Sequence, residues 1–430
     1  MSRKRRESLH RVRVALPGRG KRRSRRRIQI RRSSVVASAL VILVLFLTLS
    51  PQPPSEGSVS GGCFWCGHFA LADAILNLLL FLPIGFLLAL RHGASPIRTW
   101  AGLTALAVAI EVAQLFLPGR FATLSDVLMN SAGAAAGIGL ARLWRRGLAL
   151  RGPESGGLTI LAGAVAACVT VGSTLLLSTS LPESMWFGQW TPDLGHYEQY
   201  GGEVLDARVG ELPTPGRRLD DAPAVRAGLK YGDPLVVSFV AGPPTIGLAP
   251  VFSIYDGMER EILVLGARDH DLVFRLRRRA SDWRLRSPEA LYPGIAPADG
   301  DTALVRLVVR DRSTCLEIPD GECTPLATPG RGWSLLLGAA PGPEAEHVAD
   351  IAWLGFLFFP IGYWLRRRRL AVLGLAIGLA GLVGASLLGG SMSGIDWLAT
   401  GLGPLLGLFG GIGAGRILAP DFSDLRWRLR

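Results

Sequence analysis

Six polar side chains stand in stretches that are otherwise apolar. Asn77 lies in ADAILNLLLFLPIGF (residues 72–86), Glu111 and Gln114 in EVAQLF, Asp126 and Asn130 in DVLMN, and Arg120 between the last two. Ionisable and amide groups are costly in hydrocarbon, so each needs a partner or a task. Asp73 and Asn77, like Asp126 and Asn130, are four residues apart, and Glu111 and Gln114 are three apart, so each pair shares one helix face. At about 1.5 Å rise per residue, Asn77, Glu111 and Asn130 fall roughly 8–10 Å below one membrane surface. The spacing predicts a polar cluster gathered beneath Arg120, the nearest cation for Glu111 or Asp126. Two readings are open. The residues hydrogen-bond one another and fix the bundle, or they receive a polar head group, with Arg120 on an anion and Glu111 or Asp126 as acid, base or hydrogen-bond partner. No nucleophile–base pair and no metal-ligand set accompanies them, so the reading leans away from an enzyme, and no cofactor or metal is expected.

Helices crossing a membrane must position these residues. About half of the 430 residues are hydrophobic and mean hydropathy is +0.32. Apolar segments near 35–50, 71–90, 99–117, 124–143, 157–178, 350–365, 370–388 and 397–415 predict about eight transmembrane helices. The formal net charge of +13 is not a nucleic-acid signal. Residues 1–32 hold fifteen Lys/Arg and one Glu, so the rest of the chain is close to neutral. Residues 1–34 therefore read as a basic cytoplasmic tail, facing membrane lipid, and no nucleic-acid partner is expected. Arg91, Arg98, Arg142, Arg145, Arg146, Arg151, the run Arg366–Arg369 and the tail 416–430 fall on the same side. Both termini are thus placed in the cytoplasm, with 35–50 a retained anchor.

Residues 184–348 have another character. Short apolar runs (PLVVSFVA, VFSIYDG, EILVLGA, DLVFRLR, TALVRLVVR, WSLLLGA) alternate with polar turns, predicting an inserted, extracytoplasmic all-β sandwich. Cys315 and Cys323 flank a turn signal at Asp320-Gly321, which fits a disulfide in that compartment. Cys63 and Cys66, in GGCFWCGHF, fit a structural disulfide best; redox work, or metal binding with His68, are the alternatives.

Residues 71–145 resemble the VanZ-like family of integral membrane proteins. Asn77, Phe81, Pro83 and Gly85 carry the likeness, followed by Glu111, Gln114, Arg120, Asp126, Asn130, Gly133 and Gly137. The resemblance implies a bacterial cell-envelope protein, in the cytoplasmic membrane, and a link to glycopeptide (teicoplanin-type) resistance. The β-rich insert is similar to laminin G or concanavalin A-like lectin/glucanase sandwiches, on APVFSIYDG, REILVLGARDHDLVFRLR, TCLEI and WSLLLG. That likeness implies binding of glycan or another cell-wall polymer, in some relatives with calcium. Trp283 and Tyr292 are the candidate sugar-facing residues, Trp283 because ASDWRLRS reads as an exposed loop, and Trp333 reads as core. The expected function is glycan binding through the insert. The alternative is an enzyme or transporter for a lipid-linked or amphiphilic envelope substrate at Glu111, Arg120 and Asp126. A third reading makes the bundle a scaffold that only displays the insert.

The first membrane segment of this unit also has an echo. ADAILNLLLFLPIGF returns as ADIAWLGFLFFPIGY at an offset of 277, and DVLMNSAGAAAG at 126 returns as DWLATGLGPLLG at 396. Residues 349–415 thus read as a degenerate second three-helix unit. It keeps Asp350, Pro360 and Gly362 but has Leu354 for Asn77 and Thr400 for Asn130.

Overall fold

Long apolar runs with few backbone breakers fold as helices, and the computed structural model has one at each of the eight expected places. It describes residues 36, 38–51, 69–90, 95–118, 120, 122–143, 154–194, 197–310, 313–316, 323–340, 342–364, 368–388 and 392–418. The basic tail, Cys63, Cys66 and the last twelve residues lie outside the described residues. The first helices are α1 (Ser38–Leu49), α2 (Ala70–Ala89), α3 (Pro96–Gln114), α4 (Leu124–Leu143) and α5 (Glu154–Leu176). Among the described residues, three helices are long and apolar enough to cross a bilayer: α2, α3 and Gly156–Leu176 of α5. This is short of the eight spans expected. Glycine and polar residues dilute α4, and the helix that follows the β region opens on the charged stretch PEAEHVAD.

After the β region come α8 (Pro343–Tyr363), α9 (Arg368–Leu387) and α10 (Gly394–Leu418). Glycines decide how these helices pair. A Cβ on Gly133 of α4 would run into the Leu78 carbonyl of α2, one on Gly137 into that of Leu82, and one on Gly85 into that of Ala134. Bare glycine lets the two backbones touch. The same three contacts recur between α10 and α8: Gly403 on Gly355, Gly407 on Phe359, and Gly362 on Pro404. Every α2 residue shifts by 277 and every α4 residue by 270, the offsets seen in the sequence.

The repeat extends one helix further than the three expected. Val44 of α1 packs with Phe81 and Ile84 of α2 and with Leu103, Ala107 and Ile110 of α3. Ala162 and Ala166 of α5 pack in the same way with Phe358 and Ile361 of α8 and Leu382 of α9. The units are therefore α1–α4 and α5 with α8–α10, and the β region occupies the connection between the first two helices of the second unit.

The β region is a pair of antiparallel sheets. One runs in the order β1 (Trp186–Trp190), β5 (Ala249–Asp256), β6 (Glu261–Arg268), β7 (Asp271–Leu276) and β8 (Glu289–Tyr292). The other runs β11 (Cys323–Pro325), β10 (Ser313–Leu316), β9 (Thr302–Arg310), β4 (Pro234–Val240), β2 (Glu203–Val209) and β3 (Leu212–Pro213). Phe252, Leu263, Leu265 and Phe274 of the first sheet meet Val204, Leu235, Val237 and Phe239 of the second in one core. Helix α6 (Ala222–Tyr231) starts at Asp221, whose carboxylate accepts from Ala224 N at 3.0 Å, and ends at Gly232 with φ of 92°. At the β5–β6 turn, burial works against the charge of Asp256. Hydrogen bonds from Met258 and Arg260 outweigh it and hold the carboxyl below its ordinary range.

Five of the six apolar runs become strands as expected. The sixth, in WSLLLGA, is the short helix α7 (Ser334–Leu337), because Trp333 and its neighbours dock on helix ends rather than on a sheet edge. Cys315 and Cys323 form a disulfide across paired positions of β10 and β11, as the sequence led us to expect. Closing so short a loop limits its entropic benefit to about 2–3 kcal/mol. The double change Cys315→Ser, Cys323→Ser should lower chain stability by that amount, read as an earlier midpoint in urea. An unchanged midpoint would show that the strand ladder alone holds this edge.

Candidate functional site

The polar residues of the first unit meet where the C-termini of α1 and α3 face the N-termini of α2 and α4, the end that carries the sandwich. Thr123 organises them. Its hydroxyl accepts from the Asp126 backbone N–H at 3.2 Å, the N-cap bond that the sequence T-x-x-D invites. In a capping box the acid three residues on would accept the cap residue's own N–H. Here Glu111 of α3 takes that bond instead, Oε2 to Thr123 N at 2.9 Å. Asp126 is thereby released to accept from Asn77 Nδ2 of α2 at 2.7 Å. One cap thus ties three helices together.

The second unit isolates what is special here. Ser393 stands at the position of Thr123, and its hydroxyl likewise accepts from Asp396 N at 3.1 Å. With no acid from α9 to help, Asp396 itself accepts Ser393 N–H at 2.9 Å. Leu354 replaces Asn77 and is buried in the core, and Thr400, at the place of Asn130, donates to the Asp396 carbonyl at 2.7 Å. Asn130 is 1% exposed, and its Oδ1 has no hydrogen-bond partner. A buried amide oxygen without a donor costs about 1–3 kcal/mol.

Arg120 does not join the cluster. Its Nε and Nη2 donate to the Ser50 and Leu47 carbonyls at 3.0 and 2.8 Å, and Gln114 donates to the Thr48 carbonyl at 2.9 Å. These are the unpaired carbonyls at the end of α1, which need donors and, carrying the negative end of the helix dipole, attract cations. Among the described residues no ion pair links Arg120 to Glu111 or Asp126. The six predicted residues therefore divide: Asn77, Glu111 and Asp126 meet around Thr123, Asn130 lies one turn along from Asp126, and Gln114 with Arg120 closes α1.

The sandwich stands on both units through arginines absent from the sequence-based site. Arg286 pairs with Asp73 of α2 at 2.8 Å and lies over the Phe69 ring at 5.3 Å. In the second unit Arg331 pairs with Glu346 at 2.6 Å and Asp350 at 3.5 Å, and Asp350 also accepts from Trp333 Nε1 at 2.7 Å. Glu346 and Asp350 correspond to Phe69 and Asp73 at the same offset of 277. Gly330, in the same loop, lies directly against the Asp396 carboxylate, where any side chain would clash. No sequence signal marked Arg286 or Arg331, since arginines are frequent throughout the insert.

The sugar-facing expectation meets corrections. Tyr292 sits in the sandwich core, 6% exposed, and burial pushes its phenol pKa up. Trp283 is exposed, but at the foot of the sandwich rather than on a free loop. Arg279 N just before it donates to the Ser178 carbonyl, and the carbonyl of Arg284 just after it accepts from Ala72 N. An exposed Trp between helix ends suits the membrane interface.

Fold and site together define a helical membrane protein with a polar cluster at one helix end and an antiparallel β insert. Residues 22–145 match the family model described as VanZ/LLP1, a stretch that takes in α1 as well as α2–α4. This region is similar to that family. No curated protein and no solved structure matches the chain. Among the described residues, no group of three His, Cys, Asp or Glu could hold a metal ion.

Proposed function

We propose that this is a bacterial envelope protein of the cytoplasmic membrane whose working site is the cluster of Glu111, Asp126, Asn77 and Asn130. It receives an amphiphilic or lipid-linked envelope compound from the outer leaflet. One observation carries this reading. The first unit uses an additional buried carboxylate, Glu111, for a cap bond that the second unit makes without one, and so leaves Asp126 free of its own cap. A purely structural cluster has no need of that acid. The placement of Arg98, Arg142 and Arg368 at the helix ends away from the sandwich supports an extracytoplasmic sandwich.

A strain lacking the protein should become more sensitive to glycopeptides of the teicoplanin type or to other envelope-active compounds. Glu111→Gln should fail to restore growth while keeping its protein level. Full complementation by Glu111→Gln would return the cluster to a bundle-fixing role. Glycan binding by the sandwich has less support, because Tyr292 is buried and Trp283 stands at the foot. Retention of the full chain on cell-wall polysaccharide, lost on Trp283→Ala, would restore that reading.

A further inference from the structure

Within the reading just given, we infer that the cluster in the first unit is a site for an organic cation, an ammonium or guanidinium group carried on an apolar body. Asp126 is its contact residue and Glu111 the residue that positions Asp126.

The hydrogen-bond inventory points this way. Asn77 uses its amide N–H on Asp126, and Thr123 uses its backbone N–H on Glu111. The Thr123 side chain also meets the Asp126 carboxyl, whereas Asn130 Oδ1 is buried with no donor of its own. Side chains on a helix lean toward its N-terminus, so Asn130 is directed along α4 at the turn that holds Asp126. The unpartnered group at this mouth is an acceptor, and a donor is what it lacks.

Charge says the same. Among the described residues, no Lys or Arg forms an ion pair with Glu111 or Asp126. Two cations near the mouth, Arg120 and Arg286, are held by α1 and by Asp73. Two carboxylates side by side in a poorly solvated place are relieved by a shared proton or by a cation, and a guanidinium or ammonium group supplies both charge and donors.

The second unit displays such a pairing with an internal occupant. Arg331 enters from the 3₁₀ turn Pro329–Trp333 and places its guanidinium between Glu346 and Asp350, while Gly330 covers Asp396. That unit is closed by its own chain, Asp396 being 0% exposed. Asp126, its counterpart, keeps partial exposure, and Glu111 is the acid it has gained. Among the described residues no third His, Cys, Asp or Glu joins the two carboxylates, and Asn130 Oδ1 adds a single oxygen, short of the roughly six that calcium or magnesium takes, so an organic cation fits the site better than a metal ion.

Octylguanidinium and octylurea separate charge from shape, being near-isosteric with one neutral. The full chain, reconstituted in nanodiscs of zwitterionic lipid, is titrated with each and corrected for partition into empty discs. Wild-type protein should bind octylguanidinium at least about tenfold more tightly than octylurea. Asp126→Asn should abolish the preference, and Glu111→Gln should reduce it. Equal binding of the two probes by wild-type protein, a measurement that needs no variant to fold, overturns the inference. So does a preference that survives Asp126→Asn. If the probes bind equally yet Glu111→Gln still fails to complement, the site stands and its ligand is not cationic. Should Glu111→Gln complement fully, the site itself falls.

Discussion

Arg331→Leu is expected to be the most damaging single substitution in the chain, costing about 3–5 kcal/mol. The guanidinium is nearly buried, at 6% side-chain exposure, between two carboxylates of similar burial. Removing it leaves Glu346 and Asp350 out of water with no counter-ion, and that penalty exceeds whatever the intact pair contributes. Thermal unfolding in detergent measures the loss. Arg286→Leu is the control, because Arg286 and Asp73 are 28% and 45% exposed. Water already screens that pair, so its removal should cost no more than about 1 kcal/mol. Adding Glu346→Gln to Arg331→Leu should recover part of the loss, since one stranded charge is then gone. Equal melting of the Arg331 and Arg286 variants would mean that burial of the second pair has no energetic weight.

Gly137→Ala should separate α2 from α4. The new Cβ would meet the Leu82 carbonyl oxygen and the Phe86 nitrogen, both backbone atoms that no rotamer change can move. Overpacking typically costs about 1–3 kcal/mol, and rigid opposing backbone places this site at the upper end. The consequence reaches further than stability. The Asn77–Asp126 hydrogen bond of 2.7 Å spans these same two helices, so a few tenths of an ångström of separation should impair function as well. Gly407→Ala, its equivalent against Phe359, should cost similar stability and leave complementation intact. Gly139→Ala meets nothing within 4 Å and should be neutral or slightly stabilising, as alanine is the better helix former. Failure of Gly139→Ala alongside Gly137→Ala would remove close helix approach as the explanation.

Much of this architecture could be read from residue order, and the parts that could not share a cause. The offsets of 277 and 270 are legible in the residue order, and the paired glycine–carbonyl contacts repeat at those same offsets because close packing follows helical spacing. Cys315 and Cys323 were readable for the same local reason. Arg120 was misplaced because sequence shows formal charges and hides the orphan carbonyls of α1, which compete for a guanidinium. The repeat was drawn one helix short because α1 and α5 share no obvious motif, only a place against Phe81 and Phe358. Glu111 was singled out, but its partner was not. Thr123 and Asp126 have the spacing of a cap in which the acid serves itself, and only the fold brings an acid from α3 to do it. Tyr292 lies on a strand where alternation gives two faces and does not say which is covered.

The sandwich foot sets how the two halves of the molecule can be connected. None of α2–α4 packs extensively against α5, α8, α9 or α10. At the foot, however, a continuous polar route crosses between them. It runs from Asp73 to Arg286, from Arg286 to the Leu335 and Leu336 carbonyls, and through Ser334 to Arg331 and Asp350. Among the described residues the two helical units are thus like a pair of legs joined at the hip. Rocking of one leg against the other would pivot on those few residues, which makes the hip the place where a disulfide or cross-link would lock such a motion.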